Sequence, residues 1–252
     1  MPIPLGIQLI SIYTLEAYMN RPIARKRSLK ESLCLLQSRY LSNTSYTVGA
    51  LKHEQMLHNR FWEWFYKADT YGLIDQDIPD GNRYEPMPYL LMAEILNRLE
   101  LKPNDVYADI GSGKGRSLIL ASQRNVSKVI GIEYSKELVD VARVNVARLK
   151  QKKAQVEHYC GLAQEFDYSE VTCIYFYNSF GEETLREVMA SLEKSLEENP
   201  RELRIAYANP QCKQVFEESK YFEQYDVWEG QDFPDFWIYP PQPIAVSFWR
   251  TY

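Results

Sequence analysis

One stretch limits the possible folds more than any other. It runs Val106-Tyr-Ala-Asp-Ile110, then the glycine-rich turn Gly111-Ser-Gly-Lys-Gly115, a helical run over 117–123, and Lys128-Val-Ile-Gly-Ile-Glu133. Two apolar runs of strand length flank a helix, and strands joined that way pair in parallel through a right-handed crossover. The alternation continues beyond them. Ser135 is placed to cap a helix with Leu138, Val141, Ala142, Val146 and Leu149 on one face. Strands are predicted at Gln155–Cys160, Val171–Tyr177 and Leu203–Ala208, with an amphipathic helix carrying Leu185, Val188, Met189, Leu192 and Leu196 between the last two. After Tyr225 the pattern weakens, and Ile244–Trp249 reads as a final strand. The expectation is an α/β chain built on a doubly wound sheet.

Residues 1–83 show no strand alternation and are predicted to form a helical N-terminal extension or cap, leaving 84–252 as the α/β domain. Phe61, Trp62, Trp64 and Phe65 sit at helical spacing, and Tyr71-Gly72 and Pro79-Asp80-Gly81-Asn82 mark turns at the boundary. Leu91, Met92, Ile95, Leu96 and Leu99 then recur at helical spacing, and Pro88 suits the first turn of that helix.

Composition excludes more than it selects. With 45% hydrophobic and 25% charged residues the chain is of ordinary globular make-up. A net charge of −5 argues against nucleic acid as a partner, and the basic run from Arg21 to Lys30 reads as solvated surface. The four cysteines, Cys34, Cys160, Cys173 and Cys212, contain no CxxC pair. Cys160 and Cys173 fall in strand-like runs and are expected to be buried reduced thiols, which fits a cytoplasmic setting. No integral membrane segment is expected, although 5–19 is moderately apolar. His53-Glu54 and His58 miss the HExxH spacing by one residue, so no metal is expected.

The glycine turn ends the first strand, where open parallel sheets bind ligands. Its glycines permit a tight turn and close approach of a ligand to the backbone. Glu133 closes the second strand, where a carboxylate accepts hydrogen bonds from both hydroxyls of a ribose. Asp109, directly before the turn, would repel a pyrophosphate but suits a ligand carrying an ammonium and a sulfonium. Arg116 also stands where the dinucleotide fingerprint needs a third glycine. The plainer readings are a solvated acid at a strand end and a helix N-terminal charge.

VYADIGSGKGRSLILA followed by VIGIEYSKELVDVARVNV resembles the first two motifs of class I S-adenosylmethionine-dependent methyltransferases. The resemblance runs from about Tyr84 to Asn209. It implies a Rossmann-like seven-stranded sheet whose last strand is antiparallel, and S-adenosylmethionine as cofactor. DIGSGKGR with YNSFGEETLREVM, preceded by Tyr84-Glu85-Pro86-Met87-Pro88, is similar to a group of uncharacterised bacterial methyltransferases related to the non-SET histone-lysine methyltransferases. On that basis Tyr84, Asp109, Gly111, Ser112, Gly113, Lys114, Gly115, Glu133, Tyr134 and Ala163 are the expected cofactor contacts. The family often has Gly-Asp-Ala after the third strand. Here the chain reads Gly161-Leu162-Ala163, leaving Gln164 or Glu165 to replace the acid that meets the adenine.

Methyl transfer from a sulfonium asks a protein for alignment and exclusion of water. The place for both is the end of the fourth strand, Tyr177-Asn178-Ser179-Phe180. Asn178 and Phe180 match the Asn/Asp-Pro-Pro-aromatic signature of amine methyltransferases in part, and Ser179 departs from it. Asn178, Phe180 and Tyr177 are the expected catalytic residues, set against readings in which Asn178 only forms a turn and the rings only pack. The acceptor is expected to be an amine, on a protein lysine or a small molecule. The alternatives are a non-catalytic cofactor-binding module and a nicotinamide-dependent oxidoreductase.

Overall fold

The computed structural model describes residues 59–75, 78, 80–229 and 244–252. The basic run, the 5–19 stretch, Cys34, His53, His58 and the proline-rich 240–243 segment lie outside the described residues. One compact unit takes in residues 55–231 and 241–252, and everything below concerns it.

A helical segment, α1 (residues 59–66), leads into turns and then α2 (Tyr89–Arg98), whose N-cap is Pro88. The alternating part follows: β1 (Val106–Ile110), α3 (Arg116–Ala121), β2 (Lys128–Glu133), α4 (Lys136–Ala147) and β3 (Gln155–Cys160). After a 3₁₀ turn at Ala163–Glu165 come β4 (Cys173–Tyr177), α5 (Glu182–Glu198), β5 (Arg204–Ala208), α6 (Gln214–Glu217), β6 (Phe222–Trp228) and β7 (Val246–Thr251). The seven strands form one sheet in the order β3-β2-β1-β4-β5-β7-β6. The first five pair in parallel, and β7 runs antiparallel between β5 and β6. β1 and β2 have the predicted bounds. Ser135 caps α4 by accepting from the Leu138 amide.

β6 is missing from the sequence reading. Its burial alternates irregularly, and a register shift between Gln224 and Asp226 breaks the two-residue period. A second difference concerns Cys160. Cys173 is buried, but Cys160 is exposed, because β3 is an edge strand and Cys160 is its last residue.

One core cluster lies on the face of the sheet covered by α5 and α6. Ala108, Ile110, Ile130, Ile132, Ile174, Phe176, Ile205 and Tyr207 pack there against Leu185, Val188, Met189, Leu192 and Leu196 of α5 and Phe216 of α6. The opposite face carries polar groups, and among them Arg204 and Asp105 form a buried ion pair at 2.6 Å. Arg204 also donates to Glu100 O at 2.7 Å and to Leu99 O, while Asp105 accepts from Thr172 Oγ1 at 2.9 Å and from the Lys102 amide. Burial alone would raise the Asp105 pKa. The Lys102 amide, Arg204 and Thr172 outweigh it and hold the carboxyl below its ordinary value. Removing one member of such a pair strands a buried charge. Arg204→Met is expected to cost about 3–5 kcal/mol in urea unfolding. Lys102→Ala, which loses only an exposed bridge to Glu202, should cost under about 1 kcal/mol in the same assay.

Candidate cofactor and transfer site

The glycine turn is fixed by its own backbone. Gly111, Gly113 and Gly115 all have positive φ, at 76°, 52° and 84°. At Gly113 a side chain is excluded twice over, by that backbone conformation and by the ring of Tyr84, which a Cβ would strike. At Gly111 a Cβ would strike Ser179. The amides of Gly111 and Ser112 donate to Ile132 O at 2.8 and 3.0 Å, and the Gly115 amide donates to Ser112 O at 2.9 Å. The Gly113 amide donates to Glu133 Oε2 at 2.8 Å.

These bonds decide what the turn can hold. A pyrophosphate site offers a nest of unpaired amides to an anion. Here four amides of the turn are already committed, and two carboxylates, Asp109 and Glu133, lie beneath them. Glu133 is buried at the end of β2, with Oε1 accepting from the Ser135 amide at 2.9 Å. A carboxylate oxygen accepts more than one hydrogen bond, so these amides do not bar ribose hydroxyls. Asp109 is 3% exposed; one oxygen accepts from Ser117 Oγ, and Oδ1 has no hydrogen-bond partner. Burial pushes its pKa up to about 7, with Glu133 adding to the shift and Ser117 opposing it. A buried carboxyl with an unpartnered oxygen fits a cationic ligand and does not fit a diphosphate.

Tyr84 is held by a network the sequence did not reveal. Its hydroxyl donates to Thr70 O at 2.7 Å. Arg116, the first residue of α3, donates to Thr70 Oγ1 at 2.8 Å, Met87 O at 2.9 Å and Glu63 Oε1 at 3.0 Å, and stacks over Tyr89 at 4.4 Å. Thr70 Oγ1 in turn donates to Glu63 Oε1 at 2.6 Å. The Lys114 ammonium donates to Tyr71 O at 2.8 Å, faces Asp69 at 3.6 Å and lies over the Tyr84 ring at 6.0 Å. Asn145 bridges Lys114 O to Asp69 O and accepts from the Asp69 amide. Residues 59–75 are thus bonded to α3, α4 and the glycine turn.

Of the other expected contacts, Tyr134 is 48% exposed directly after Glu133, and Ala163 sits half-buried in the 3₁₀ turn with its carbonyl accepting from Tyr168 Oη at 2.8 Å.

The loop after β4 is tied to the glycine turn. Ser179 Oγ donates to Ile110 O at 2.8 Å, so the serine is the connection between the two strand ends. Asn178 has φ 43°, a conformation asparagine tolerates better than most residues. Its carbonyl accepts from Asn82 Nδ2 at 2.7 Å, the Asn82 amide donates to Ser179 O at 3.1 Å, and Gly181 N donates to Asp80 O at 2.8 Å. Asp80 Oδ2 also caps α5 at the Thr184 amide. The Asn178 carboxamide is half-buried and makes no hydrogen bond among the described residues. Tyr177 is half-buried beside it, its pKa pushed up to about 12 by burial. Phe180 is different: its ring is 8% exposed, belongs to the core and stacks on Phe176 at 5.9 Å, so the structure places it as a packing side chain. Asp80 and Asn82 were legible only as a turn, because their partners lie about a hundred residues away.

Residues 88–235, more than half the chain, match the family model described as mycolic acid cyclopropane synthetase. The chain belongs to that family. It is a class I S-adenosylmethionine-dependent methyltransferase, an enzyme whose cofactor is S-adenosylmethionine. A stretch of 150 residues is 25% identical to a histone-lysine N-methyltransferase, H3 lysine-79 specific, of Dictyostelium discoideum. That stretch is 52% of this methyltransferase but only 8% of its relative. Among solved structures, TrmN from Thermus thermophilus shares the fold, with a TM-score of 0.51 and 14% identity over 66% of this chain and 49% of its own. An RNA methyltransferase from Salinibacter ruber, solved with S-adenosyl-L-homocysteine, aligns over 66% of this chain and 94% of its own, at 22% identity and a TM-score of 0.45. Among the described residues no helix is long and apolar enough to cross a membrane, and no group of side chains suits a metal ion.

The raised pKa of Asp109 predicts a pH-dependent stability. The folded chain keeps a proton to about pH 7 that the unfolded chain releases near 3.8. Stability contributed by this group therefore falls as pH rises through that window. Urea melts at pH 5 and pH 8 should show Asp109→Asn gaining about 2–3 kcal/mol relative to wild type over the interval.

Proposed function

We propose that this methyltransferase transfers a methyl group to an amine nitrogen, with Asn178 orienting the acceptor. The observation that carries the reading is the unbonded carboxamide of Asn178, presented by a left-handed strand end that Ser179 ties to Ile110 beside the glycine turn. A carboxamide oxygen so placed accepts a hydrogen bond from an N–H of the incoming amine and aims the remaining lone pair. The limited likeness to a lysine-specific enzyme supports a lysine-type acceptor, on a protein or as a small molecule.

In this reading the cofactor is held by Glu133 at its ribose, by the backbone of 111–115 and Asp109 at its amino-acid end, and by Tyr134 and Ala163 at its base. When bound it supplies an electrophilic methyl group on a sulfonium. Tyr84, locked by Thr70 and Arg116, covers the glycine turn and excludes water from it. Tyr177, a neutral phenol at ordinary pH, lines the acceptor side. Residues 59–83 shape that side as part of the N-terminal cap.

Radiolabelled S-adenosylmethionine with fractionated lysate tests the reading. Asn178→Ala should lower transfer by about 10²-fold or more, with cofactor affinity within about threefold of wild type. Label resistant to base and recovered as methylated lysine or a free methylamine supports an amine. Label released by mild base, as from a methyl ester, would overturn it. Glu133→Gln should weaken S-adenosylmethionine binding by about tenfold or more in calorimetry.

A further inference from the structure

Among the described residues, three buried oxygens on the same face of the sheet lack hydrogen-bond partners: Tyr107 Oη, Tyr175 Oη and Asp109 Oδ1. They belong together. Asp109 and Tyr175 are direct neighbours in the β1–β4 register, and Tyr107 lies two residues before Asp109 on the same strand, hence on the same face. All three side chains are within range to alter one another's charge. Ser117 Oγ, which donates to Asp109 Oδ2, is also near Tyr107, but no bond of proper geometry joins it to the phenol.

Buried polar atoms are satisfied in the great majority of cases, and three orphans at one place need a common explanation. Two phenol hydroxyls and a carboxyl oxygen supply the two to four polar partners an internal water requires. We infer that Tyr107 and Tyr175 hold one internal water against Asp109 Oδ1, and that this hydrated cage is what allows Asp109 to carry charge when the cofactor's ammonium arrives. The second half rests on the proposed role of Asp109; the first does not. The other groups facing Asp109 are Glu133 from β2, Ser117 from α3 and Tyr84 from the segment before α2, while Arg116 of α3 acts on Tyr175. Of the charged ones, Glu133 disfavours ionisation and Arg116 is already paired with Glu63. Beside the Ser117 hydrogen bond, the cage is the further support for the carboxylate. The tyrosines are positioning residues, acting through Asp109.

Tyr107→Phe and Tyr175→Phe keep ring and volume, so they isolate the hydroxyls. If each hydroxyl is bonded through the water, each variant melts about 3 °C lower at pH 7, and the loss shrinks to under about 1 °C in an Asp109→Asn background. Melting temperatures that stay or rise overturn the cage, because deleting an unpartnered buried hydroxyl is neutral or stabilising. Equal losses with and without Asp109 overturn it too, by showing packing roles unconnected to the acid. Calorimetry with S-adenosylmethionine from pH 6 to 8 separates the second half. Both Phe variants should move the midpoint of tightening affinity upward by about half a pH unit or more. Affinity flat with pH in wild type, alongside a melting loss that depends on Asp109, keeps the cage and rejects Asp109 as a cofactor contact.

Discussion

The guanidinium of Arg116 is the interaction on which the site's geometry depends. It is 5% exposed, and a charge so placed is tolerable only when paired and fully hydrogen-bonded. Glu63 from α1, Thr70 from the following turn and Met87 O from the approach to α2 meet that demand, with the Tyr89 ring stacked on its face. Because Arg116 opens α3 directly after the glycine turn, these bonds draw a segment 30 to 50 residues upstream onto the turn. Tyr84 arrives as part of that segment, and its ring sits where only a glycine at 113 leaves room. The arginine that marks the departure from a dinucleotide fingerprint is therefore also the residue that closes the turn.

The same segment reaches the other half of the site. A few residues before Tyr84, Asp80 and Asn82 hold Gly181, Thr184, Asn178 and Ser179. One strap thus touches both the glycine turn and the loop after β4, and Ser179 joins those two loops directly through Ile110. The serine that departs from the family's proline has a positive role here. A proline at 179 would carry neither the hydroxyl nor the amide, and the link to β1 would be lost.

Polarity is divided across the sheet. One face packs an apolar cluster under α5 and α6; the other buries Asp109, Tyr107, Tyr175 and Arg204 among apolar side chains such as Val129, Leu118 and Phe248. The division follows from the two-residue period of strands, which puts Ala108 and Ile110 on one side and Tyr107 and Asp109 on the other. The polar face is costly to bury, and its groups are either bonded, as Asp105 and Arg204 are, or gathered around Asp109.

By itself the sequence determined the parallel part of the sheet and the identity of the turn. Continuous apolar runs, Ser135 as a cap and glycines at strand ends are local signals, and their physics acts over a few residues. β1 and β2 came out at the predicted bounds, and Glu133 reached the Gly113 amide. β6 escaped because a register shift erased its period. Cys160 was misjudged because sequence does not say which strand lies at an edge. The burial of Phe180 against Phe176 was likewise not legible in its spacing. Only the tertiary structure decided that Arg116 binds Glu63 and Thr70, that Asn82 holds Asn178, and that Tyr107, Tyr175 and Asp109 share one buried place. Those contacts join residues tens of positions apart, and chain folding creates the proximity that no spacing rule contains.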